Sequence, residues 1–585
     1  MTATIKRLLA YLLVQPWLFI TGLVFLFLQT SLGVSQTLLI KQIIDQVLVP
    51  LGQRHVYYQD KFIHLLLLIG LTAIGIMVFR FIAMYSLQVL SNKIAKKMRD
   101  QMFERMNQLP MAYFDQHASG SLVSRLTNDV EEIRRQFYVA GLAMLLMNVV
   151  MVLGTYLMLF HLSQEVCLAM LVLLPIVVIW QGLYTKKMSP IQIKVQEQRS
   201  DLTSQMNESL QNVEIVQAFG MQDDLIKKFM TASQQLMQWQ LKGLRLETWA
   251  SYTLSKLMIY VTQVALVAFI ALGFLQGKEA VTAGLLYALV EGTSRVLEPL
   301  GMVVRIVGSV QRSLAAGQRI FQFLDENIED EVEDDLSIQD GKIDIKNLDF
   351  AYKNEHYILK DFCLEVGAHE TIAIVGETGS GKSTLMNLLF RFYDPNAGEI
   401  LIDGQNIFQA SRAALRKGMA IVLQEPYIFS GTILSNITLD DPTITEEMAQ
   451  EALEKVGAWK WISQLEMGIH QPVVDKGEEF SSGQRQLLSF ARALVRNPKI
   501  LILDEATSHV DSETEGLIQE AMAILKENRT TLIIAHRLLT VQDADQIIVL
   551  SQGKIVEKGQ HKDLLEAKGF YHQMYLDQAN SFLLE

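Results

Sequence analysis

The chain has 585 residues, which exceeds the usual size of one compact domain and predicts two or three. Half of the residues are hydrophobic, 19% are charged and the mean hydropathy is +0.22, a composition typical of a membrane protein. The formal net charge of -12 leaves no basic excess for phosphate contacts and excludes a general nucleic-acid binder. The two cysteines, Cys167 and Cys363, are far apart in the sequence and predict neither a disulfide framework nor a metal site.

Long apolar runs dominate the first half of the chain. A helix needs about 20 mostly apolar residues to cross a bilayer, and these runs are too long to be the strands of a membrane barrel. Six runs meet the requirement: residues 17–40, 62–90, 137–162, 166–183, 251–275 and 280–307. Lys6 and Arg7 precede the first run, and no small-residue cleavage site ends it. We therefore expect the start of a retained helix and not a removed signal peptide.

The connections between these runs are of two kinds. Those after the second and fourth runs are long, helix-forming and rich in Lys and Arg, whereas the opposite loops are short and carry few of these residues. The positive-inside rule places the long connections and both termini in the cytoplasm. The sequence therefore predicts a bundle of six transmembrane helices with long cytoplasmic extensions.

Composition changes near residue 325. Residues 325–340 are so acidic that they cannot bury apolar area, and we interpret them as a solvated linker. Beyond them, short β-like runs alternate with helical segments, a pattern typical of an α/β domain. The predicted organisation is a transmembrane domain over 1–324, the acidic linker, and an α/β domain over 341–585.

Residues 376–384 read GETGSGKST, a complete phosphate-binding loop of the form G-x-x-x-x-G-K-[ST]. An apolar β-like run precedes the loop and a helical run follows it, as this motif requires. Its glycines let backbone N–H groups approach phosphate oxygens, and the helix N-terminus favours negative charge. Lys382 is expected at the β- and γ-phosphates and Ser383 at Mg²⁺. The predicted ATP-binding residues of the loop are Gly376, Glu377, Thr378, Gly379, Ser380, Gly381, Lys382, Ser383 and Thr384.

Two later β-like runs end in residues suited to ATP hydrolysis. The run from residue 499 ends at Asp504, which suits the Mg²⁺ shell, and at Glu505, which suits polarising the attacking water. The run from residue 530 is followed by His536, placed to sense the γ-phosphate. Because ligands bind at the carboxyl ends of parallel strands, we expect these residues to meet the phosphate loop. Glu505 and His536 are the candidate catalytic residues.

The order of these motifs resembles that of ATP-binding cassette (ABC) proteins. Residues 480–486 read FSSGQRQ and resemble the family's signature, which contacts the ATP held by a partner cassette. The resemblance covers residues 341 to about 578 and implies ATP and Mg²⁺ as cofactors. It implies that Tyr352 stacks on adenine, that Gln424 contacts nucleotide and Mg²⁺, and that Asp511 belongs to the D-loop. The implied signature residues are Ser481, Ser482, Gly483 and Gln484.

The resemblance extends into the helical half. Residues 109–115 (LPMAYFD) and 207–219 resemble the two cytoplasmic coupling segments of ABC exporters, and six spans followed by one cassette are the layout of a half-exporter. The family implies that two cassettes close head to tail around ATP, so a second exporter half is required. ATP binding then biases an inward-to-outward switch, and hydrolysis resets it.

The signature departs from the usual Leu-Ser-Gly-Gly-Gln, with Phe480 for Leu and Ser482 for the first Gly. A side chain at 482 would crowd or redirect a backbone that must approach phosphate, whereas the chain's own phosphate loop, Glu505 and His536 are intact. This asymmetry resembles one subunit of the bacterial heterodimeric multidrug exporters. We hypothesise a heterodimer in the cytoplasmic membrane of a bacterium, with one competent and one impaired ATP site. A homodimer that tolerates Ser482 is the alternative.

The sixth apolar run contains Glu291, Arg295 and Glu298. Ionisable groups at membrane depth usually face a cavity or a partner, so these residues are candidates for a polar patch that contacts an amphipathic, cationic substrate. Alternatively, they pair with one another in the cytoplasmic wall. The predicted cargo is an amphipathic small molecule of the multidrug type. The alternatives are a lipid or lipopeptide flippase and a ligand-sensing ATPase without transport. Membrane lipid, and no nucleic acid, is the further expected partner.

Overall fold

The computed structural model describes residues 2–54, 58–275, 282–329, 336–352, 356–504, 512–535 and 541–582. The chain divides into two compact units. The first comprises Met1–Gln108 and His117–Asn327, and the second comprises Leu109–Gln116 and Ile328–Glu585. The second unit therefore includes a short piece of chain that comes from within the helical half of the sequence.

The first 325 residues are almost entirely helical. In chain order the α-helices are α1 (Thr2–Ala10), α2 (Pro16–Ile43), α3 (Val49–Arg54), α4 (Gln59–Met106), α5 (Met111–Gln116), α6 (Ser119–Ser124), α7 (Val130–Glu132), α8 (Met144–Leu162), α9 (Gln164–Gln211), α10 (Val213–Ala218), α11 (Gln222–Leu246), α12 (Leu254–Leu275) and α13 (Ala283–Asp325). Stretches of π-helix continue several of them, at Ile44–Leu48, Arg125–Asp129, Ile133–Ala143 and Glu247–Thr253.

All six predicted spans coincide with helices, namely α2, α4, α8, α9, α12 and α13, although the first two residues of the sixth run lie outside the described residues. Judged on the described residues, three continuous helices are long and apolar enough to cross a membrane: Pro16–Gly52, Gln59–Met106 and Ser119–Leu162. Helices α4 and α9 have 48 residues each, or about 72 Å, which is more than twice a hydrocarbon core of about 30 Å. The predicted bundle with long extensions is confirmed.

The second unit is an α/β structure. Its elements from residue 341 onward are β1 (Ile343–Phe350), β2 (Leu359–Val366), β3 (Thr371–Gly376), α14 (Lys382–Leu389), β4 (Ala397–Ile402), β5 (Gln405–Asn406), α15 (Arg412–Lys417), β6 (Met419–Val422), β7 (Gly431–Thr432), α16 (Ile433–Thr438), α17 (Glu446–Lys455), α18 (Trp459–Ile462), β8 (Pro472–Val473), α19 (Ser482–Val495), β9 (Ile500–Asp504), α20 (Ser512–Lys526), β10 (Thr530–Ile534), β11 (Gln546–Ser551), β12 (Lys554–Gly559), α21 (His561–Ala567) and α22 (Phe570–Phe582).

Two larger sheets organise this unit over its described residues, and β7 and β8 form a third, two-stranded one. A sheet in the order β12-β11-β3-β10-β9-β6 is parallel except at β12, and an antiparallel sheet has the order β2-β1-β4-β5. Side chains alternate along each strand, so the parallel sheet contributes to two cores. On β3, Ala373 and Val375 belong to the core that includes α19 and α20, whereas Ile372 and Ile374 belong to the core shared with the antiparallel sheet. This layered packing fixes the strand ends that carry the predicted site.

The chain that follows the acidic segment is anchored to the second unit. Leu336 is buried in the core between the two sheets. The carboxylate of Asp403 accepts hydrogen bonds from the backbone N–H groups of residues 339–342 at 2.8–3.2 Å. Burial alone would raise the pKa of Asp403, but these N–H groups outweigh it and lower the pKa. Within the predicted linker, Leu336 is therefore packed, whereas Ser337, Gln339 and Asp340 are exposed; residues 330–335 lie outside the described residues.

Candidate nucleotide site

The predicted phosphate loop connects strand β3 to helix α14. Strand β3 is buried from Thr371 to Val375 and runs between β11 and β10, so the loop starts from the middle of the parallel sheet. At Gly376, an added Cβ would lie 2.2 Å from the carbonyl oxygen of Leu550 on β11. Gly381 has φ +110° at the N-terminus of α14, in the left-handed region that favours glycine. The sequence thus folds into the strand–loop–helix geometry that presents backbone N–H groups to an anion.

Lys382 lies within this loop and is almost fully buried. Its ammonium group donates to the carbonyl oxygens of Gly376 and Glu377 at 2.7 and 3.0 Å. The hydroxyl of Ser380 is also buried, and in the described structure it has no hydrogen-bond partner. A buried cation and a buried hydroxyl beside a helix N-terminus are suited to phosphate oxygens.

Parallel pairing aligns the other predicted residues with this loop. Ile374 on β3 is in register with Ile534 on β10, which is in register with Asp504 at the end of β9. Gln424 follows β6, the neighbour of β9. Asp504, Gln424 and the phosphate loop therefore lie at the same edge of one sheet. Glu505, Asp511 and His536 lie outside the described residues.

Tyr352 lies next to the phosphate-loop helix. Its hydroxyl accepts a hydrogen bond from the Asn387 side chain at 3.1 Å and is 3.5 Å from the Thr384 hydroxyl, both on α14. Its ring is perpendicular to the ring of Tyr393, with centroids 5.0 Å apart, and packs on Phe350 at 4.8 Å. The residue as a whole is 43% exposed. This placement leaves ring area for a flat base close to the loop.

The signature residues form the start of helix α19. The Ser481 hydroxyl accepts from the backbone N–H of Gln484 at 3.2 Å, and the Gln484 side chain accepts from the Ser481 N–H at 2.9 Å, which is a capping box. Gly483 is buried, whereas Ser481 is exposed. The N-terminus of α19 therefore begins at an exposed serine, and the helix dipole favours negative charge there.

Phe480, which replaces the usual leucine, is accommodated in the core. It is buried against Trp461, with ring centroids 5.3 Å apart. Arg485 donates to its carbonyl oxygen at 2.6 Å and fixes the turn into α19. The substitution at 480 is thus absorbed by packing, whereas Ser482 lies on the first turn of the helix.

Arg492 ties helix α19 to the chain that follows Gln424. Its guanidinium donates to the carbonyl oxygens of Tyr427 and Asn436 at 2.9 and 2.8 Å and to the Asn436 side chain at 3.0 Å. Burial, and then the nearby charge of Arg496, lowers the pKa of Arg492 to about 10. The signature helix and the segment after Gln424 are therefore joined by one half-buried cation.

Sequence reasoning missed two residues beside Tyr352. Asn387 and Tyr393 fix the position of its ring, although neither belongs to a motif that the sequence singled out. Asn387 lies one helical turn after Thr384, so the spacing of a helix could have suggested it. Tyr393 follows α14 without a periodic signal, and only the tertiary structure brings it to Tyr352.

The candidate substrate residues on α13 lie in ion pairs. Arg295 is 3.0 Å from Glu291 and also donates to the carbonyl oxygen of Gly33 on α2 at 3.0 Å. Glu298 is 2.8 Å from Lys256 on the neighbouring helix α12. The described structure thus places the three residues along one helix and gives each carboxylate a cationic neighbour.

The sequence matches two families, the ABC transporter transmembrane region over residues 19–294 and ABC transporter over residues 359–508. A probable multidrug resistance ABC transporter ATP-binding/permease protein, YheH of Bacillus subtilis (strain 168), is 39% identical over 89% of this chain and 78% of that protein. An ATP-dependent lipid A-core flippase of Francisella tularensis subsp. tularensis is 31% identical over 87% of this chain and 85% of the flippase.

The structure of a bacterial Atm1-family ABC exporter with ATP bound is also similar. It superposes with a TM-score of 0.79 at 26% identity and covers 95% of this chain and 98% of that chain. The chain belongs to the ABC transporter family. It is a half-size exporter with one membrane domain and one ATP-binding domain, and it couples ATP hydrolysis to transport. Exporters of this kind work as dimers.

Proposed function

We propose that this half-exporter pairs with a different exporter half in a bacterial cytoplasmic membrane and expels amphipathic small molecules of the multidrug type. One ATP site of the pair is competent and the other is impaired. The observation that carries the asymmetry is the contrast between an intact phosphate loop and Ser482 in the first turn of α19. The printed name of the Bacillus subtilis relative supports the class of cargo.

The competent site uses residues of this chain for ATP. Lys382 and the loop N–H groups hold the phosphates, and Ser383, Gln424 and Asp504 supply oxygen ligands for Mg²⁺. When bound, Mg²⁺ neutralises charge on the β- and γ-phosphate oxygens. Glu505 orients the attacking water, His536 contacts the γ-phosphate, and Asp511 belongs to the D-loop. Tyr352 stacks on the base.

The exposed apolar surface of helix α11 supports the need for a second exporter half. Helix α11 carries a row of exposed apolar side chains at helical spacing. They are Ile226, Met230, Met237, Leu241 and Leu244. A soluble helix face of this kind is normally covered by a partner. A second exporter half is the occupant that this family provides.

A mostly apolar groove between α12 and α13 suits an amphipathic cargo. This open groove of about 470 Å³ is lined by Tyr260, Gln263, Val264, Val267, Ala268 and Val290. Gln263 donates to the Ser294 hydroxyl at 2.8 Å, next to Glu291 and Arg295. Mostly apolar walls with a few polar groups are typical of small-molecule sites. A cationic cargo could replace Arg295 as the partner of the Glu291 carboxylate and so bind to Glu291.

Lipid flipping is the second candidate, and two observations favour it. One is the name of the Francisella relative. The other is an open, mostly apolar groove of about 540 Å³ between α2 and α8, lined on α8 by Val150, Leu153, Leu157 and His161 among others. Apolar walls of this size suit an acyl chain.

The testing experiment is ATP hydrolysis and dye uptake in inverted lipid vesicles. The chain is prepared alone and co-expressed with a candidate exporter half, each with and without Glu505→Gln. We expect ATP hydrolysis and dye uptake only from the co-expressed pair and not from the single chain. Glu505→Gln should abolish both activities. Full ATPase activity of the single chain would instead establish a homodimer. The dye is Hoechst dye, and a fluorescent lipid is offered to the same vesicles in a parallel assay. Transport of the lipid and not of the dye would favour the flippase.

A further inference from the structure

Helix α5 is the piece of the helical half that belongs to the second unit. The chain leaves the first unit at Gln108, contributes residues 109–116 to the second, and returns at His117. Leu109 and Tyr113 are buried. In the chain, the long helix α4 precedes this segment and α6 follows it.

One polar contact fixes the end of α5 to the chain that follows the phosphate-loop helix. The phenolic hydroxyl of Tyr393 donates a hydrogen bond to the carboxylate of Asp115. Burial, and then the bond to Asp115 and its negative charge, raises the pKa of Tyr393. The phenol therefore keeps its proton at neutral pH and remains the donor.

The same tyrosine touches the ring of Tyr352, which is proposed to stack on the nucleotide base. The rings of Tyr393 and Tyr352 are perpendicular at a centroid distance of 5.0 Å, and Phe350 packs against both, at 5.8 and 4.8 Å. Edge-to-face packing of this kind is directional. Asn387 and Thr384 on α14 contact the Tyr352 hydroxyl, so Tyr393 is the neighbour of this ring that leads to α5.

We infer that Tyr393 is a positioning residue that conveys occupancy of the base face of Tyr352 to helix α5 through its hydrogen bond to Asp115. The inference rests on the proposed role of Tyr352 at the base. A base stacked on the exposed face of Tyr352 restricts that ring, which in turn holds Tyr393 and Asp115 in the bonded arrangement. The relay biases α5 between a loose and a fixed state, while Lys382 and Asp504 act on the phosphates.

Hydrogen exchange on the full-length exporter dimer in lipid nanodiscs tests the relay without requiring the cargo. Exchange of residues 376–384 reports binding to the phosphate loop, and exchange of residues 111–117 reports fixation of α5. In the wild type, ATP with Mg²⁺ should slow exchange in both segments by about threefold or more. In Tyr393→Phe, which keeps the ring and removes only the hydroxyl, the loop should still be protected and α5 should not.

Three further variants sharpen the test. Asp115→Ala should lose protection of α5 as Tyr393→Phe does, and the double variant should lose no more than either single variant. Tyr575→Phe removes a phenol on the last helix of the same unit and should behave as the wild type. Protection of α5 by ATP in Tyr393→Phe overturns the relay alone. Absence of loop protection in the wild type overturns the nucleotide-site assignment and the relay with it.

Discussion

Arg295 and Glu291 form an ion pair one helical turn apart on α13, with 3.0 Å between the guanidinium and the carboxylate. Arg295 also donates to the carbonyl oxygen of Gly33 on α2. A charge at membrane depth is costly when it is unpaired. The pair therefore stabilises the contact between two helices in addition to any contact with cargo.

Neutralising one member of this pair should lower the thermal stability of the protein more than neutralising both. We expect Glu291→Gln and Arg295→Gln each to lower the melting temperature in detergent by roughly 2–4 °C, and the double variant to recover most of that loss. Thermal unfolding of the four proteins measures this. Losses that simply add would contradict the pairing. Dye export by the double variant then separates a role in cargo binding from a role in stability.

Lys382→Ala should remove the buried cation of the phosphate loop. Because the ammonium group is expected to move from its carbonyl partners to the phosphates, ATP hydrolysis by the dimer should fall on the order of 10²-fold or more. Lys360→Ala removes an exposed lysine from β2 in the same unit and should leave hydrolysis unchanged. Equal rates for the two variants would dissociate Lys382 from catalysis.

Ser482→Gly should restore the glycine that the family signature carries at this position. In a heterodimer with one impaired site, the variant should raise ATP turnover by up to about twofold, because the second site then gains backbone N–H groups close to phosphate. Turnover per dimer in lipid measures this. No gain in a pair that is confirmed to be heteromeric would show that Ser482 does not impair the site.

Leu241→Asp should weaken assembly with the second exporter half. It places a charge in the exposed apolar row of α11, and we expect a loss of affinity of about 10- to 100-fold. Gln240→Asp introduces the same charge at the adjacent exposed position and should have little effect. Energy transfer between labelled halves in detergent distinguishes the variants. Equal affinity of both would mean that the row faces lipid or solvent.

Acid should release the chain that Asp403 holds. The pKa of this carboxyl is lowered in the folded protein, so its stabilising contribution is fully present above the unfolded pKa of about 3.9 and is lost as the pH falls through the folded pKa. Protection factors of the amides of residues 339–342, corrected for intrinsic exchange, should therefore fall below about pH 4. In Asp403→Asn they should be lower at neutral pH and nearly independent of pH.

Local patterns predicted much of this protein. The span lengths predicted the helical bundle. The phosphate loop and the two later β-like runs predicted which strand ends meet, because parallel strands place their carboxyl ends together. The pairing of Glu291 with Arg295 was open to prediction because helix geometry brings residues four apart together. These features depend on neighbours in sequence or on the rules of a sheet.

The remaining contacts depend on distant parts of the chain. Lys256 and Glu298 are 42 residues apart, and Tyr393 and Asp115 are 278 residues apart. No periodicity in a single sequence encodes such pairs. Packing of Leu336 and Ile338 within the acidic stretch was also missed, since composition averages over the few apolar residues that pack.

The excursion of residues 109–116 into the second unit also sets an order of events at the ribosome. Tyr393 is synthesised 278 residues after Asp115, which at 5–20 residues per second takes roughly 14 to 56 s. During that time α5 is made but lacks its acceptor surface. The second unit is therefore completed only when its last-made parts close on a segment synthesised long before, and a fragment that begins after residue 328 leaves the Tyr393 phenol without Asp115.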